Sequence, residues 1–317
     1  MRRLFSDAHY DFIGLRRRAY MVSAIALVIG IAAMLFGQFA RGSWLNYGVD
    51  FTGGTLIQVQ IDRDVGVGDV RGVVAPLVAG AQVTSFGDQN EFLIRTAQGG
   101  DTTSNAAEIV PAALREAFGE SEVQVVRAEG VSAKVGGELQ TRALIAILLS
   151  FGATLVYLAF RFEWRFGLAA VIATLHDILI TLGFISVLRL EVALPTVAAV
   201  LTIVGYSLND TIVIFDRIRE NLRGAGRRED FASILNRSIN DTLPRTVLTS
   251  ATTLATLFAL FMFGGALIRE FALILIVGII LGTYSSIFVA APALLAIEQR
   301  WPAERKKKPR VARVSTA

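Results

Sequence analysis

The sequence predicts a polytopic α-helical membrane protein of six transmembrane helices, with a small α+β domain of ferredoxin-like pattern inserted after the first. Three observations carry this. Of the 317 residues, 53% are hydrophobic and the mean hydropathy is +0.55, too apolar for a soluble chain of this length. Six apolar runs are each long enough to cross ~30 Å of hydrocarbon at ~1.5 Å rise per residue. Between the first two runs, charges, glycines and short alternating patterns replace continuous apolarity.

Residues 1–18 carry Arg2, Arg3 and Arg16 to Arg18, and the first apolar run, 19–39, follows. It is long for the apolar region of a signal peptide and no small-x-small cleavage site follows, so we read it as a retained helix. In 40–141, residues 55–61 read as a strand with its late part in period two, and 67–77 as a helix weakened by Gly72 and Pro76. Residues 82–86 and 91–96 form a hairpin across Gly-Asp-Gln-Asn. Residues 105–118 form a helix capped by Ser104 or Asn105, and 122–128 a last strand. The order β-α-β-β-α-β is the split βαβ pattern. The remaining spans are 142–160, 168–188, 192–215, 246–265 and 271–297. Within the 216–245 break, Phe231, Ile234, Leu235 and Ile239 recur at helical spacing, which predicts an amphipathic helix on the membrane surface. Residues 298–317 form a basic tail.

Lysine and arginine set the orientation. The 40–141 domain and the 189–191 and 267–270 breaks fall on one side with ten basic residues, counting Arg142. The termini, 161–166 and 216–245 hold twenty-one. Both termini are therefore expected in the cytoplasm and the domain outside. The net charge of +4 and pI near 9.6 follow this placement, so nucleic acid is not an expected partner; the lipid bilayer is. Without cysteine there is no disulfide or thiol nucleophile, and two histidines leave little room for a metal site. No Walker loop or Gly-x-Ser-x-Gly is present, and neither a cofactor nor an enzyme activity is expected. A membrane aspartyl protease would need both Asp177 and Asp210.

The polar residues inside the spans are the candidate site. Asn209 and Asp210 stand in the fourth run, where a carboxylate costs a few kcal/mol and marks an ion- or proton-handling group. The bland alternative is that Asp210 reaches water at the cytoplasmic end. Tyr206 and Ser207, one turn back, are placed to hydrogen-bond it. His176 and Asp177 lie near the midplane of the third span. They are candidates for a proton relay, or for a structural hydrogen bond, and point about 100° apart on a helix. Pro244 opens the fifth span. Arg245, Thr249, Thr252 and Thr256 share one helix face there as a polar seam, although small hydroxyl residues also mediate plain helix packing. An Asp210–Arg245 pair would keep the carboxylate ionised, and its separation would favour protonation.

Residues 46–55 (Asn-Tyr-Gly-Val-Asp-Phe-Thr-Gly-Gly-Thr), 204–221 and Arg245-Thr-Val-Leu-Thr-Ser250 together resemble the SecF family, the smaller subunits of the SecDF accessory complex of bacterial protein export. Asn-Asp-Thr at 209–211 is SecF-like, and His176-Asp177 resembles a motif common to both subunits. The resemblance implies an RND-type membrane fold in the bacterial inner membrane and partnership with SecD. Through SecD it implies work with the SecYEG channel, the SecA motor and a preprotein at the periplasmic face. It also implies use of the proton gradient, with Asp210 as the proton-linked aspartate and Arg245 as its arginine. Asp50, Gly53 and Gly54 would form a tight joint between span and domain. The rival reading is a self-sufficient RND-type exporter of small molecules or lipids, working as a homodimer.

Overall fold

The computed structural model describes residues 9–78, 81–85, 90–96, 106–225, 229–264 and 266–302. Six of its helices are long and apolar enough to cross a membrane. The first is α1 (Arg16–Arg41). A two-residue strand β1 (Asn46–Tyr47) and a single turn α2 (Val49–Thr52) lead from it into the extramembrane domain.

The domain comprises β2 (Gly54–Ile61), α3 (Val67–Val74), β3 (Gln82–Ser85), β4 (Glu91–Thr96), α4 (Ala106–Phe118) and β5 (Val123–Val131). Its sheet order is β3-β4-β2-β5 with every neighbour antiparallel, the split βαβ arrangement the sequence predicts. Ile57, Val59 and Ile61 turn one face of β2 onto Val70, Val74, Val110 and Leu114 of the two helices. The other face holds Leu56, which meets Leu93 of β4 and Val49 of α2. The early part of β2 is thus buried on both sides, so only its late part alternates. The predicted helix 67–77 stops at Val74, since Ala75 precedes Pro76. Gly87, Asp88 and Gln89 of the predicted hairpin turn and the caps Ser104 and Asn105 lie outside the described residues.

The second span, α5 (Ala133–Arg161), begins well before its apolar run, with the Ser132 hydroxyl accepting the Val135 N–H at 3.3 Å. The third and fourth are α6 (Trp164–Leu188) and α7 (Leu194–Gly224), joined by the strand β6 (Glu191–Val192), which pairs in parallel with β1. The fifth is α8 (Phe231–Phe263). The sixth is α9 (Ala266–Ser285), a π-helical turn Ser286–Ala290 and α10 (Ala291–Arg300) in unbroken succession.

Two details depart from the sequence reading. Pro244 does not open a span: it sits inside α8, one helix from Phe231 to Phe263. The missing N–H leaves the Asn240 carbonyl without its helical donor, which a helix of this length tolerates. Nor does the apolar stripe at the start of α8 rest on lipid. Ile234, Leu235 and Ile239 are fully buried, and the last two join Phe215, Ile218 and Leu294 in the core at the bundle end away from the domain. Three phenylalanines, Phe162, Phe166 and Phe215, pack against one another there. Asp11 ties the N-terminal segment to this helix, accepting from Gly14 N at 2.9 Å and Asn236 Nδ2 at 2.7 Å.

Helix approach is set by small residues. Where α1 crosses α6, a Cβ on Gly183 would lie 2.6 Å from the Gly30 Cα, so only glycine fits at this crossing. Where α9 crosses α7, a Cβ on Gly282 would meet the Ser207 Cβ at 3.0 Å.

Candidate functional site

Two buried carboxylates lie where α6, α7, α8 and the sixth span meet, and their surroundings differ. Asp177 is 1% exposed. Its Oδ1 lies 2.9 Å from His176 Nδ1, and its Oδ2 accepts from Ser207 Oγ and Ser285 Oγ, each at 2.5 Å. Adjacent positions on a helix point apart, yet both side chains turn inward and bond to one another. His176 Nε2 lies 3.0 Å from Ser23 Oγ of α1, which lies 3.2 Å from the Tyr284 hydroxyl. That hydroxyl donates to the Ala19 carbonyl at 2.8 Å. A continuous file of polar atoms therefore runs from α1 through α6 to α7 and the sixth span. Ser285 immediately precedes the π turn, an irregularity frequent at functional sites.

Asp210 is 2% exposed. It accepts a long bond, 3.5 Å, from Thr283 Oγ1, and the Ser250 hydroxyl of α8 lies within bonding reach of the same carboxyl. Ser250 and Thr283 bond to each other at 2.7 Å across α8 and α9. A carboxylate has about four acceptor sites; Asp177 uses three, while Asp210 meets only the hydroxyls of Thr283 and Ser250. Asp177 is held in place, whereas Asp210 is buried with capacity to spare, the condition for a group that exchanges a proton or an ion.

The other predicted residues lie as follows. Tyr206 does not bond Asp210; its hydroxyl reaches Ser250 at 3.5 Å and Thr253 at 3.4 Å. Ser207 serves Asp177 instead. Arg245 is exposed on this chain and makes no ion pair within 4 Å of Asp210, although its charge acts on that carboxyl. Asn209 is exposed too. Thr249, Thr252 and Thr256 donate back to carbonyls of their own helix, and the last two are exposed. The face of α8 turned to Asp210 is the neighbouring one, Thr246, Ser250, Thr253 and Leu257. Ser23, Ser250, Thr253, Thr283, Tyr284 and Ser285 are site residues the sequence reading passed over. The run Thr283-Tyr-Ser-Ser286, four hydroxyls in succession in an apolar span, was the available signal. Among the described residues no group of three or more His, Asp or Glu could hold a metal ion.

At the domain end, Asp50 Oδ2 accepts the Leu194 N–H at 2.9 Å, so α2 caps the helix that carries Asp210. Gly53 and Gly54 follow with φ of 74° and 127°, backbone that only glycine adopts without strain.

Residues 110–300 match the family described as protein export membrane protein SecD/SecF, C-terminal, and residues 42–65 match the SecD/SecF GG motif. The chain belongs to the SecD/SecF family. It is 46% identical over 310 residues to the protein translocase subunit SecF of Gemmatimonas aurantiaca, covering 95% of this chain and 91% of the relative. It is 45% identical over 303 residues to that of Magnetococcus marinus, covering 94% of each. Among solved structures it resembles SecDF of Thermus thermophilus, described as a translocon-associated membrane protein. That likeness has a TM-score of 0.79 and 40% identity over 93% of this chain. The chain spans 39% of the length of that SecDF chain. The two matched regions of the family cover the capped joint and all of the spans after the first, the parts that hold the two carboxylates.

Proposed function

We propose that this chain is an accessory subunit of the Sec protein translocase, and that Asp210 couples an ion gradient to movement of the α+β domain. The observation that carries the proposal is the second carboxylate: buried among α7, α8 and α9, yet met by only two hydroxyls, Thr283 at a long 3.5 Å and Ser250. Its family relatives are translocase subunits, and the solved SecDF chain, more than twice as long, supports a SecD half as the missing partner. In this reading the spans lie in the bacterial inner membrane with both termini cytoplasmic, and the domain meets a preprotein emerging from SecYEG after SecA has driven it. The transported ion is a proton, passed at Asp210 and countered by Arg245 when the halves close together. His176 and Asp177 hold the second polar file beside it, Asn209 and the Thr249, Thr252 and Thr256 stripe face the partner, and Asp50, Gly53 and Gly54 form the joint.

One elementary charge moving through ~100 mV releases about 2.3 kcal/mol, enough to shift a two-state domain more than tenfold. The test is export of a secretory precursor in cells lacking the native subunit, complemented by wild type or Asp210→Asn at equal abundance and equal SecD association. Loss of export with normal assembly is the expected result. Full export by Asp210→Asn would place the ion route elsewhere and overturn the proposal.

A further inference from the structure

Three segments converge at the N-terminus of α7. The Leu194 N–H donates to Asp50 of α2, and the Thr196 hydroxyl donates to the Glu191 carbonyl at 2.9 Å. The Gly48 N–H donates to the Val192 carbonyl at 2.9 Å, and Asn46 Nδ2 to the Arg189 carbonyl at 3.1 Å. The Glu191 carboxylate pairs with Arg95, on the β4 strand of the domain. Arg95 and Glu191 keep only 20% and 15% of their side chains exposed. Gly48 stands against the Glu191 carboxylate, where any Cβ would displace it. Glu270, at the start of the sixth span, acts on the same guanidinium through its charge. Arg95 sits within the central strand pair, opposite Leu56 of β2, so a force on it reaches the whole sheet. Beside these contacts is a cavity of about 50 Å³ lined by Asp50, Gln58, Arg127, Glu191, Thr196 and Glu270 among others. Polar anchors and the buried apolar contact of Leu56 and Leu93 with Val49 together seat the domain there.

We propose that Asp50, Glu191 and Arg95 form a rigid clamp through which α7 carries the domain with it. The proposal rests on the reading of Asp210 above and names the route by which its state leaves the membrane. α7 is unbroken from Leu194 to Gly224, and Asp210 lies sixteen residues along it, about 24 Å from the clamp. A shift or tilt of the rod at Asp210 is therefore delivered to β4 and β2 by the Arg95–Glu191 pair, with Asp50 holding the rod's end to the joint. Arg95, Glu191 and Asp50 are positioning residues and do not themselves handle the ion.

The test uses the chain assembled with its SecD half in membranes, and reads proton uptake and precursor export separately. Arg95→Glu and Glu191→Arg each put like charges where a pair stood. Each is expected to lower export at least about tenfold, or about 1.4 kcal/mol of coupling, while proton uptake persists. The double exchange Arg95→Glu with Glu191→Arg restores most of the export. Should a charge reversal impair assembly, the neutral pair Arg95→Gln and Glu191→Gln replaces it, with the double no worse than either single. Wild-type export in Arg95→Glu overturns the clamp. So does a double exchange as defective as the singles, additive neutral variants, or loss of proton uptake together with export. Asp210→Asn in the same assay separates the two proposals. If it keeps both proton uptake and export, the reading of Asp210 fails; if it loses both while Arg95→Glu is silent, only the clamp fails.

Discussion

Replacing Asp177 by alanine removes the acceptor for three groups at once, His176 Nδ1, Ser207 Oγ and Ser285 Oγ. Hydrogen bonds between membrane helices average about 0.6 and reach about 1.7 kcal/mol each, so the two that cross between helices, from Ser207 and Ser285, are worth about 1–3 kcal/mol. The lower half of that range is favoured, because Ser285 also reaches the Gly282 carbonyl at 3.1 Å and keeps a partner. Asparagine behaves differently. Its carbonyl oxygen still accepts from both serines, and its NH2 faces His176 Nδ1, which becomes an acceptor once the ring proton moves to Nε2. Nε2–H then donates to Ser23 Oγ, Ser23 to the Tyr284 hydroxyl, and that hydroxyl to the Ala19 carbonyl, so every group stays satisfied. Asp177→Asn should lose less than about 1 kcal/mol and switch the histidine tautomer. Unfolding of the purified chain in detergent measures the first, and nitrogen chemical shifts of the labelled imidazole the second. Equal destabilisation by alanine and asparagine, or an unchanged tautomer, would refute the polar file as drawn.

The remaining predictions concern backbone and charge. Gly183→Val forces α1 and α6 apart at Gly30 and should destabilise the chain by about 1–3 kcal/mol, measured in the same unfolding experiment; an unchanged transition would mean that the crossing is looser than 2.6 Å implies. Gly53→Ala, at φ 74° and ψ 165°, should cost about 1–3 kcal/mol of backbone strain, with limited proteolysis showing an earlier release of the domain. The Gly14 N–H and the Asn236 amide hold the Asp11 carboxyl below its ordinary value. A depressed value means the contact contributes above the ordinary aspartate range near pH 4, and its contribution is lost as pH falls through the lowered value. Amide exchange of residues 10–15 should stay protected at pH 5 and in acid rise above that of α1, with Asp11→Asn removing the difference between the two conditions.

Much of the architecture was legible because membrane and sheet impose simple periods. Apolar length marks the spans, and the turn chemistry and alternation around β3 and β4 mark the hairpin strands. The site was half legible. A lone carboxylate in hydrocarbon stands out, so Asp210 and Asp177 are visible from sequence. Their partners are not, because hydroxyl residues are common in membrane helices and their roles depend on which face turns inward. Residues 246–256 show why. Thr249, Thr252 and Thr256 form one stripe, while Thr246, Ser250 and Thr253 form another one residue out of phase. Periodicity accepts both, and only the neighbours α7 and α9 select the second. The continuation of α8 through Pro244 was hidden for a similar reason: a proline at a span boundary fits a helix start and a tolerated interior position equally well.

The two faces of α8 bear on how the chain works. One face carries Ser250 and Thr253 to the carboxylate of Asp210 and the hydroxyl of Tyr206; the other carries Arg245, Thr252 and Thr256 outward. An arginine and a hydroxyl stripe turned to lipid would be costly, whereas Ile25, Val28 and Phe36 of α1 and Leu144, Leu148 and Val156 of α5 turn aliphatic and aromatic side chains outward. The outward face of α8 thus sets Arg245, Thr252 and Thr256 beside Leu248 and Met262, and the opposite face of the same helix meets Asp210. A second membrane half seated there would cover the stripe and bring a partner surface against the helix that borders Asp210. Seating and unseating that half would change the environment of Asp210 while leaving the fully bonded Asp177 in place. On the proposed function, Asp177 would be the fixed side of the bundle and Asp210 its adjustable side, an asymmetry that a single buried aspartate could not provide.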